Sequence, residues 1–411
     1  MKNSLLFIVL IITGVLFFGC NHPEGSASGS RDTLITGAGN DAANLLTPIK
    51  IKGESRNDTI SDLAFSSVEK LINNSIRDSA FPGAVLLVWK DGKIIFEKPF
   101  GRLTYDDSSA EVTTNTIFDL ASLTKVIAAT TAAMICIDRK LFGINDKVSK
   151  YIPAFAQNGK ENVTIKNLLM HNSGLPAYKK FYALYSDPQQ VLDDIYASQP
   201  SYPPGTKTVY SDLGMITLGK VIEKVTGKSL DVFCNDNIFK PLGMSDTYYN
   251  PPKALRYRIA PTEFDHYWRN RLLIGEVHDE TASLLNGVSG HAGLFSTAGD
   301  ISKVLQMLLQ NGVYEGKRVI DSTTVNMFLT RQPNGRALGW DMKSPTGSSA
   351  GSLFSGESYG HTGFTGTSVW TDPVRKLFVI FLTNRVYPSR ENNKLIKIRP
   401  ELHDEIINIE E

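Results

Sequence analysis

Apolar positions recur at helical spacing through Val68, Leu71, Ile72 and Ile76, and Phe81-Pro-Gly83 closes the run. A helix is therefore expected to open the ordered part of the chain near Ser61. Next, "AVLLVWKDGKIIFEKPFG" is two β-rich runs parted by Asp91-Gly92, a strong short-range hairpin signal. A similar pair stands near the other end, where "GTSVWTD" and "KLFVIFLTNR" flank Pro373 and Val374. Between them "TIKNLLMHNSGL", "LGMITLGKVIEKVTGKSLDVF" and "ISKVLQMLLQNG" are helical in pattern. The expected class is α/β (α+β): one antiparallel sheet built from both chain ends and flanked by helices, plus an inserted, mainly helical region.

The first twenty residues place Lys2 before an apolar run from Leu5 to Phe18, shorter than the ~20 residues that span a bilayer. Residues 1–20 read as a signal peptide. Gly19 before Cys20 resembles the lipobox of bacterial lipoproteins, which implies that Cys20 becomes the lipidated first residue. Residues 21–58 turn to Gly, Ser, Asn, Thr and Asp without an apolar period, the composition of a flexible tether. The remainder, 59–411, is expected to be one folded domain. The whole is then a membrane-anchored protein of the cell envelope facing the periplasm, or a secreted one if Cys20 is not lipidated.

The chain has 43 basic and 42 acidic residues, a net charge of +1, which offers no electrostatic footprint for nucleic acid. Only Cys136 and Cys234 follow Cys20, so a disulfide-dense scaffold is excluded. No Cys spacing of the metal-binding type exists, and neither a metal nor a cofactor is expected. Cys136, within "TAAMICID", is expected to be a buried, inert thiol.

Chemistry enters at "FDLASLTKVIAA", where Ser122 and Lys125 stand three residues apart in an apolar helical run. The spacing puts both side chains on one helix face. Such a pair is either an ordinary solvated stretch or a nucleophile with its base, the lysine giving up its proton because burial disfavours its charge. "VYSDLG" adds Tyr210 and Asp212 just before another helix, and "GHTGFTG" adds His361, Thr362 and Gly363 opening a strand.

In this order the motifs resemble the serine β-lactamase and penicillin-binding-protein superfamily, class C β-lactamase-like branch, over roughly Ser61 to Arg385. "LLMHNSGLP", "PLGMSDTYYNP" and "GHAGLFSTAGDISKVLQMLL" carry the resemblance between the motifs. It implies a β-lactamase/transpeptidase-like fold, with Ser122 as the acylated nucleophile, Lys125 as the group that eases its deprotonation and Tyr210 as a phenolate-type base or proton shuttle. It also implies an oxyanion hole from the backbone N–H groups of Ser122 and Phe364.

Two departures stand out. Asp212 replaces the asparagine of the second motif, and His361 the lysine of the third, which removes donor or positive character where relatives grip a substrate carboxylate. Strong β-lactamase activity is correspondingly not expected. Asp212, His361, Thr362 and Gly363 are candidate substrate-binding residues, as are His278 and His291; His171 reads as a loop-shaping residue. The run "GEVHDETASLLNGVSGHAGLFSTAGD" looks like a sub-branch holding muropeptide amidases and low-molecular-weight penicillin-binding-protein homologues. The implied function is a serine hydrolase acting through an acyl-enzyme on an amide or ester, with a peptidoglycan fragment or other small molecule as substrate. A broad carboxylesterase and a catalytically silent muropeptide- or β-lactam-binding lipoprotein are the alternatives. Oligomeric state is not legible.

Overall fold

A computed structural model describes residues 64–410. The expected leader, Cys20 and the tether at 21–58 lie outside the described residues. The first described long helix, α1 (Ser66–Arg77), buries Val68 and Ile72 as the spacing requires. The strands that build the site follow in chain order as β1 (Gly83–Lys90), β2 (Lys93–Gly101), β3 (Phe118–Asp119), β4 (Tyr248–Tyr249), β5 (Leu294–Ser296), β6 (Asp341–Met342), β7 (Tyr359–Thr362), β8 (Ser368–Asp372) and β9 (Leu377–Thr383). Asp91 and Gly92 join β1 to β2 with φ of 46° and 95°, the two positive values a tight hairpin turn demands.

Six of these strands form an antiparallel sheet of order β6-β7-β8-β9-β1-β2, so the two ends of the chain do close one sheet. Its central strands are buried on both faces, and the period of two sorts their side chains. Ala84, Leu86 and Val88, with Val379 and Phe381, pack toward Val68 and Ile72 of α1 and toward Leu402 and Ile406 of the last helix, Leu395–Glu410. Val85, Leu87 and Trp89, with Phe378, Ile380 and Leu382, face the core of the helical region. The result is helices on both sides of a sheet.

In the helical region, α2 (Thr131–Asp138) continues a 3₁₀ turn at Ala121–Leu123 and a π-helical stretch at Lys125–Thr130. Residues 123–136 of this run are all buried, and its apolar circumference makes it the central helix. The run at 213–233 is two helices rather than one, because Gly227 at φ 67° ends α3 (Asp212–Thr226) before Leu230–Cys234 begins. "TIKNLL" gives a short helix, Ile165–Leu169, opened by a reciprocal capping box of Thr164 and Asn167. α4 (Ala298–Leu309) forms as expected, with the Thr297 hydroxyl capping its start. Cys136 and Cys234 are free and buried, and burial pushes the Cys136 thiol up to about 12.

Candidate active site

β3 pairs with β5 and delivers the chain into a sharp turn. Ala121 takes φ 45°, a left-handed conformation that costs a residue with a Cβ, and its N–H is fixed on Asp119 Oδ1 at 2.8 Å. The other oxygen, Asp119 Oδ2, accepts the His278 N–H at 2.7 Å. This buried carboxylate, which the motifs did not single out, ties together the two segments that carry Ser122 and His278.

Ser122 reaches the surface of a cleft while Lys125, one turn on, is fully buried. Lys125 Nζ lies 2.7 Å from Ser122 Oγ, 3.0 Å from His291 O and 2.7 Å from Asp212 Oδ1. Three acceptors meet the three hydrogens of an ammonium. Burial works to lower this lysine, as the sequence argument expected, but Asp212 and then Tyr210 outweigh it and hold Lys125 above its ordinary value. The expectation of a deprotonated lysine is thereby corrected: an ion pair with a fully buried cation replaces it. The π-helical stretch starts at this residue, a distortion common where helices carry function.

Tyr210 precedes α3, and its loop is clamped by the "MHNSGLP" segment. Ser211 N–H donates to His171 Nδ1 at 3.1 Å, Ser211 Oγ to Pro176 O at 2.7 Å, and Asp212 N–H to Ala177 O at 2.9 Å. The His171 ring lies against Tyr210, centroids 4.7 Å apart, so the loop-shaping reading is correct and extends to ring placement. Lys125 Nζ sits 4.9 Å from the Tyr210 ring centroid, and the hydroxyl faces both Lys125 and Ser122. Burial raises the Tyr210 pKa and Asp212 adds to the rise against the opposing pull of Lys125, so the resting group is a phenol. Of the two roles the resemblance implied, phenolate-type base or proton shuttle, a resting phenol matches the shuttle.

The third motif lies at the end of β7. Thr365 Oγ1 donates to Asp119 O at 2.7 Å and Thr367 Oγ1 to Leu120 O at 3.0 Å, which sutures the turn after β7 to the residues preceding Ser122. Gly363 is required by that closeness: a Cβ there would meet Thr367 Oγ1 at 2.1 Å and Leu120 O at 2.4 Å. Among the described residues the next N–H, that of Phe364, has no acceptor. His361 is buried, and its Nδ1–H donates to Thr362 O at 2.9 Å, which leaves Nε2 as a bare acceptor. Burial, with Lys125 and Arg336 nearby, lowers its pKa to about 4, so His361 is neutral.

Ser122, Tyr210 and Phe364 form a partition between two cavities. One, of about 510 Å³, is bordered by Tyr178, Tyr182, Tyr267, His278 and Arg390. The other, of about 530 Å³, is bordered by His361, Thr362, Gly363 and three arginines, Arg336, Arg385 and Arg399. Arg336 pairs with Asp341. Arg399 has no carboxylate partner: its one hydrogen bond among the described residues runs to Thr367 O at 3.3 Å, and burial beside Arg385 pushes it down to about 10. Positive charge lost at the third motif is thus resupplied from other elements, contrary to the expectation that this place had become poor in donors.

The two candidate histidines part company. His278 stands on the cavity wall, its Nε2–H on Glu263 Oε2 at 2.8 Å and its ring 5.6 Å from that of Phe364. Burial works to raise the Glu263 carboxyl, but bonds from His278 and Arg390 override it and hold it down at about 2. His291 is 1% exposed and borders neither cavity. Its ring is occupied by Ser289 Oγ at 2.8 Å and Asp279 Oδ1 at 2.9 Å, so its place in the site is its carbonyl on Lys125 rather than a substrate contact.

Fold and site together are those of a serine hydrolase of the β-lactamase and transpeptidase type. The chain belongs to the β-lactamase family, whose model matches residues 68–401. A protein of Bacillus subtilis (strain 168) named N-acetylmuramyl-L-alanine amidase is 34% identical over 94% of this chain and 92% of its own length. An Escherichia coli (strain K12) protein carrying the name D-alanyl-D-alanine carboxypeptidase is 36% identical over 75% of this chain and 79% of its own. A solved class C β-lactamase, 19% identical, superposes with a TM-score of 0.68 over 85% of this chain and 98% of that one, which shows the shared fold.

Proposed function

We propose that this chain hydrolyses the amide joining a muramyl lactyl group to the peptide of a peptidoglycan fragment. One observation carries the chemistry: Lys125 Nζ stands 2.7 Å from Ser122 Oγ and 2.7 Å from Asp212 Oδ1, buried, beside open cavities. An ammonium cannot accept a proton, so Lys125 first passes one to Asp212 and then takes that of Ser122 as Oγ bonds to the carbonyl carbon. The displaced π pair becomes an oxyanion facing the Ser122 and Phe364 N–H groups. As the C–N bond breaks, the Tyr210 hydroxyl gives its proton to the departing amine and regains one from Lys125, and Asp212 returns its own. Water then cleaves the Ser122 ester.

The amidase name of the Bacillus subtilis relative, which aligns with nearly the whole chain, supports this substrate over a D-alanyl peptide. A leader at 1–20, lipidation at Cys20 and a tether at 21–58 would hold the catalytic domain, 59–411, on a membrane facing the periplasm, beside such fragments. The test pairs the parent protein with Ser122→Ala against a muramyl peptide, a chromogenic short-chain ester and a fluorescent penicillin. Muramyl-peptide cleavage that disappears in Ser122→Ala is the expected result. Ester turnover alone would make the chain a carboxylesterase, and probe binding without turnover, kept in Ser122→Ala, a binding protein.

A further inference from the structure

The two cavities flanking Ser122 differ in chemistry. In the first, Tyr178, Tyr267 and Phe364 are 42%, 57% and 49% exposed, so three aromatic side chains reach solvent among the lining residues. Its charged lining is Asp212, Asp279, Glu280 and Glu391 with Lys180 and Arg390; Asp212 bonds Lys125 at 2.7 Å, Asp279 bonds His291 at 2.9 Å, and Glu263 and Glu280 take up Arg390 at 2.7 and 2.8 Å. In the second the charged lining is Arg336, Arg385 and Arg399 against Asp341 alone, and Arg399 is nearly buried with no counter-ion among the described residues. One side of the nucleophile is aromatic, with carboxylates engaged in ion pairs; the other is cationic.

A pyranose suits the first. Its C–H faces present weakly positive hydrogens to the negative faces of aromatic rings, and its hydroxyls donate to carboxylates. A carboxylate suits the second, where an unpaired buried guanidinium gains a partner. We propose that these cavities fix the direction of the substrate across Ser122: the amino sugar and its lactyl arm occupy the aromatic cavity, and the acidic peptide occupies the arginine cavity.

This inference rests on the amidase reading, which fixes the lactyl group as the acyl half, and adds which cavity holds each half. Ser122 Oγ bonds to the lactyl carbonyl carbon, the amide C–N bond breaks, and the peptide departs with its new amino group protonated. The covalent intermediate therefore carries the sugar. The reverse arrangement sets the carboxylates of a stem peptide against Asp279, Glu280 and Glu391. For a D-alanyl peptide it also leaves a cavity of about 530 Å³ to a single alanine.

The experiment compares N-acetylmuramoyl-L-alanyl-D-glutamate with D-lactoyl-L-alanyl-D-glutamate, which has the same amide and peptide and no sugar ring. The parent enzyme is expected to favour the first by 100-fold or more in kcat/KM. Tyr178→Ala and Tyr267→Ala, both at surface-exposed residues, are expected to reduce that ratio at least 10-fold with the urea midpoint kept within a few tenths molar of the parent. Acid-quenched enzyme is expected to show by mass a muramoyl adduct on Ser122. A parent ratio near one, or a ratio unchanged by both substitutions, overturns the assignment of the cavities while leaving amidase activity in place; an adduct of peptide mass means that another amide was cleaved and overturns the amidase reading. Turnover of a D-alanyl-D-alanine peptide with neither lactyl amide cleaved overturns the amidase reading itself, and this inference with it.

Discussion

Asp212→Asn is the substitution whose effect the geometry sizes best. The amide keeps an acceptor for Lys125 but removes the charge 2.7 Å from a nitrogen with no exposed surface. Removing one partner of a buried pair typically costs about 3–5 kcal/mol. Lysine also has an escape that sets a ceiling: neutralising an amine of pKa ~10.4 at pH 7 costs about 4.6 kcal/mol, at ~1.36 kcal/mol per unit. The expected loss at pH 7 is therefore about 3–4.6 kcal/mol, read from urea unfolding midpoints with m unchanged. The pH dependence carries the sharper signature. In the parent, the Lys125 pKa is raised, so its stabilisation is complete below the unfolded value and lost only as pH rises through the folded one. In the variant the folded lysine is neutral while the unfolded chain still binds a proton, so stability climbs with pH by up to about 1.4 kcal/mol per unit between 7 and 10. An Asp212→Asn protein as stable as the parent at pH 7, with a parallel pH profile, would refute the claim that this pair keeps Lys125 charged.

Gly363→Ala is expected to reduce kcat by about 10²-fold or more with little change in KM, because the added methyl drives the turn from Leu120 and shifts the Phe364 N–H; steady-state kinetics on any turned-over substrate decide it. Acid stability checks a second burial effect, at His403 in the last helix, whose Nδ1–H bonds Ser349 O at 2.7 Å and whose pKa burial lowers to about 4. The unfolded chain takes up a proton near 6.5 that the native one refuses, so stability falls between pH 6.5 and 4 by about 3 kcal/mol from this residue. His403→Gln should remove that part of the slope in urea titrations, and an unchanged slope would disprove it.

The parts of this molecule legible in the sequence are those whose cause is local. Asp91-Gly92 demands positive φ twice, and the apolar period of "ISKVLQMLL" needs no knowledge of its partners. Ser122 and Lys125 meet because a helix brings i and i+3 together. The charge on Lys125 was misread for the complementary reason: Ala and Ile neighbours along the chain implied burial, but Asp212 reaches Nζ only after α3 packs on the central helix. The same holds for Arg336, Arg385 and Arg399, single residues from a loop, the segment after β9 and the last helix, with no spacing to join them. His291 failed differently. Its sequence context looked like a cleft loop, yet the carbonyl and not the ring is what the loop presents to the site.

The rearranged charges have a common logic. Asp212 makes the catalytic cluster of Lys125, Asp212, Tyr210 and Ser122 neutral overall, and His361 adds no charge. A proton moving among these groups changes no net charge in the cluster, so little of the surrounding structure has to respond. The cost of that neutrality is the loss of electrostatic pull on an anionic substrate at the scissile bond. The three arginines place positive charge in the adjoining cavity instead. If the arginine cavity takes the carboxylate as proposed, its recognition and the activation of the serine belong to separate groups, and a substrate must be long enough to reach both. That requirement favours a peptide-bearing fragment over a compact bicyclic lactam on grounds of charge placement alone.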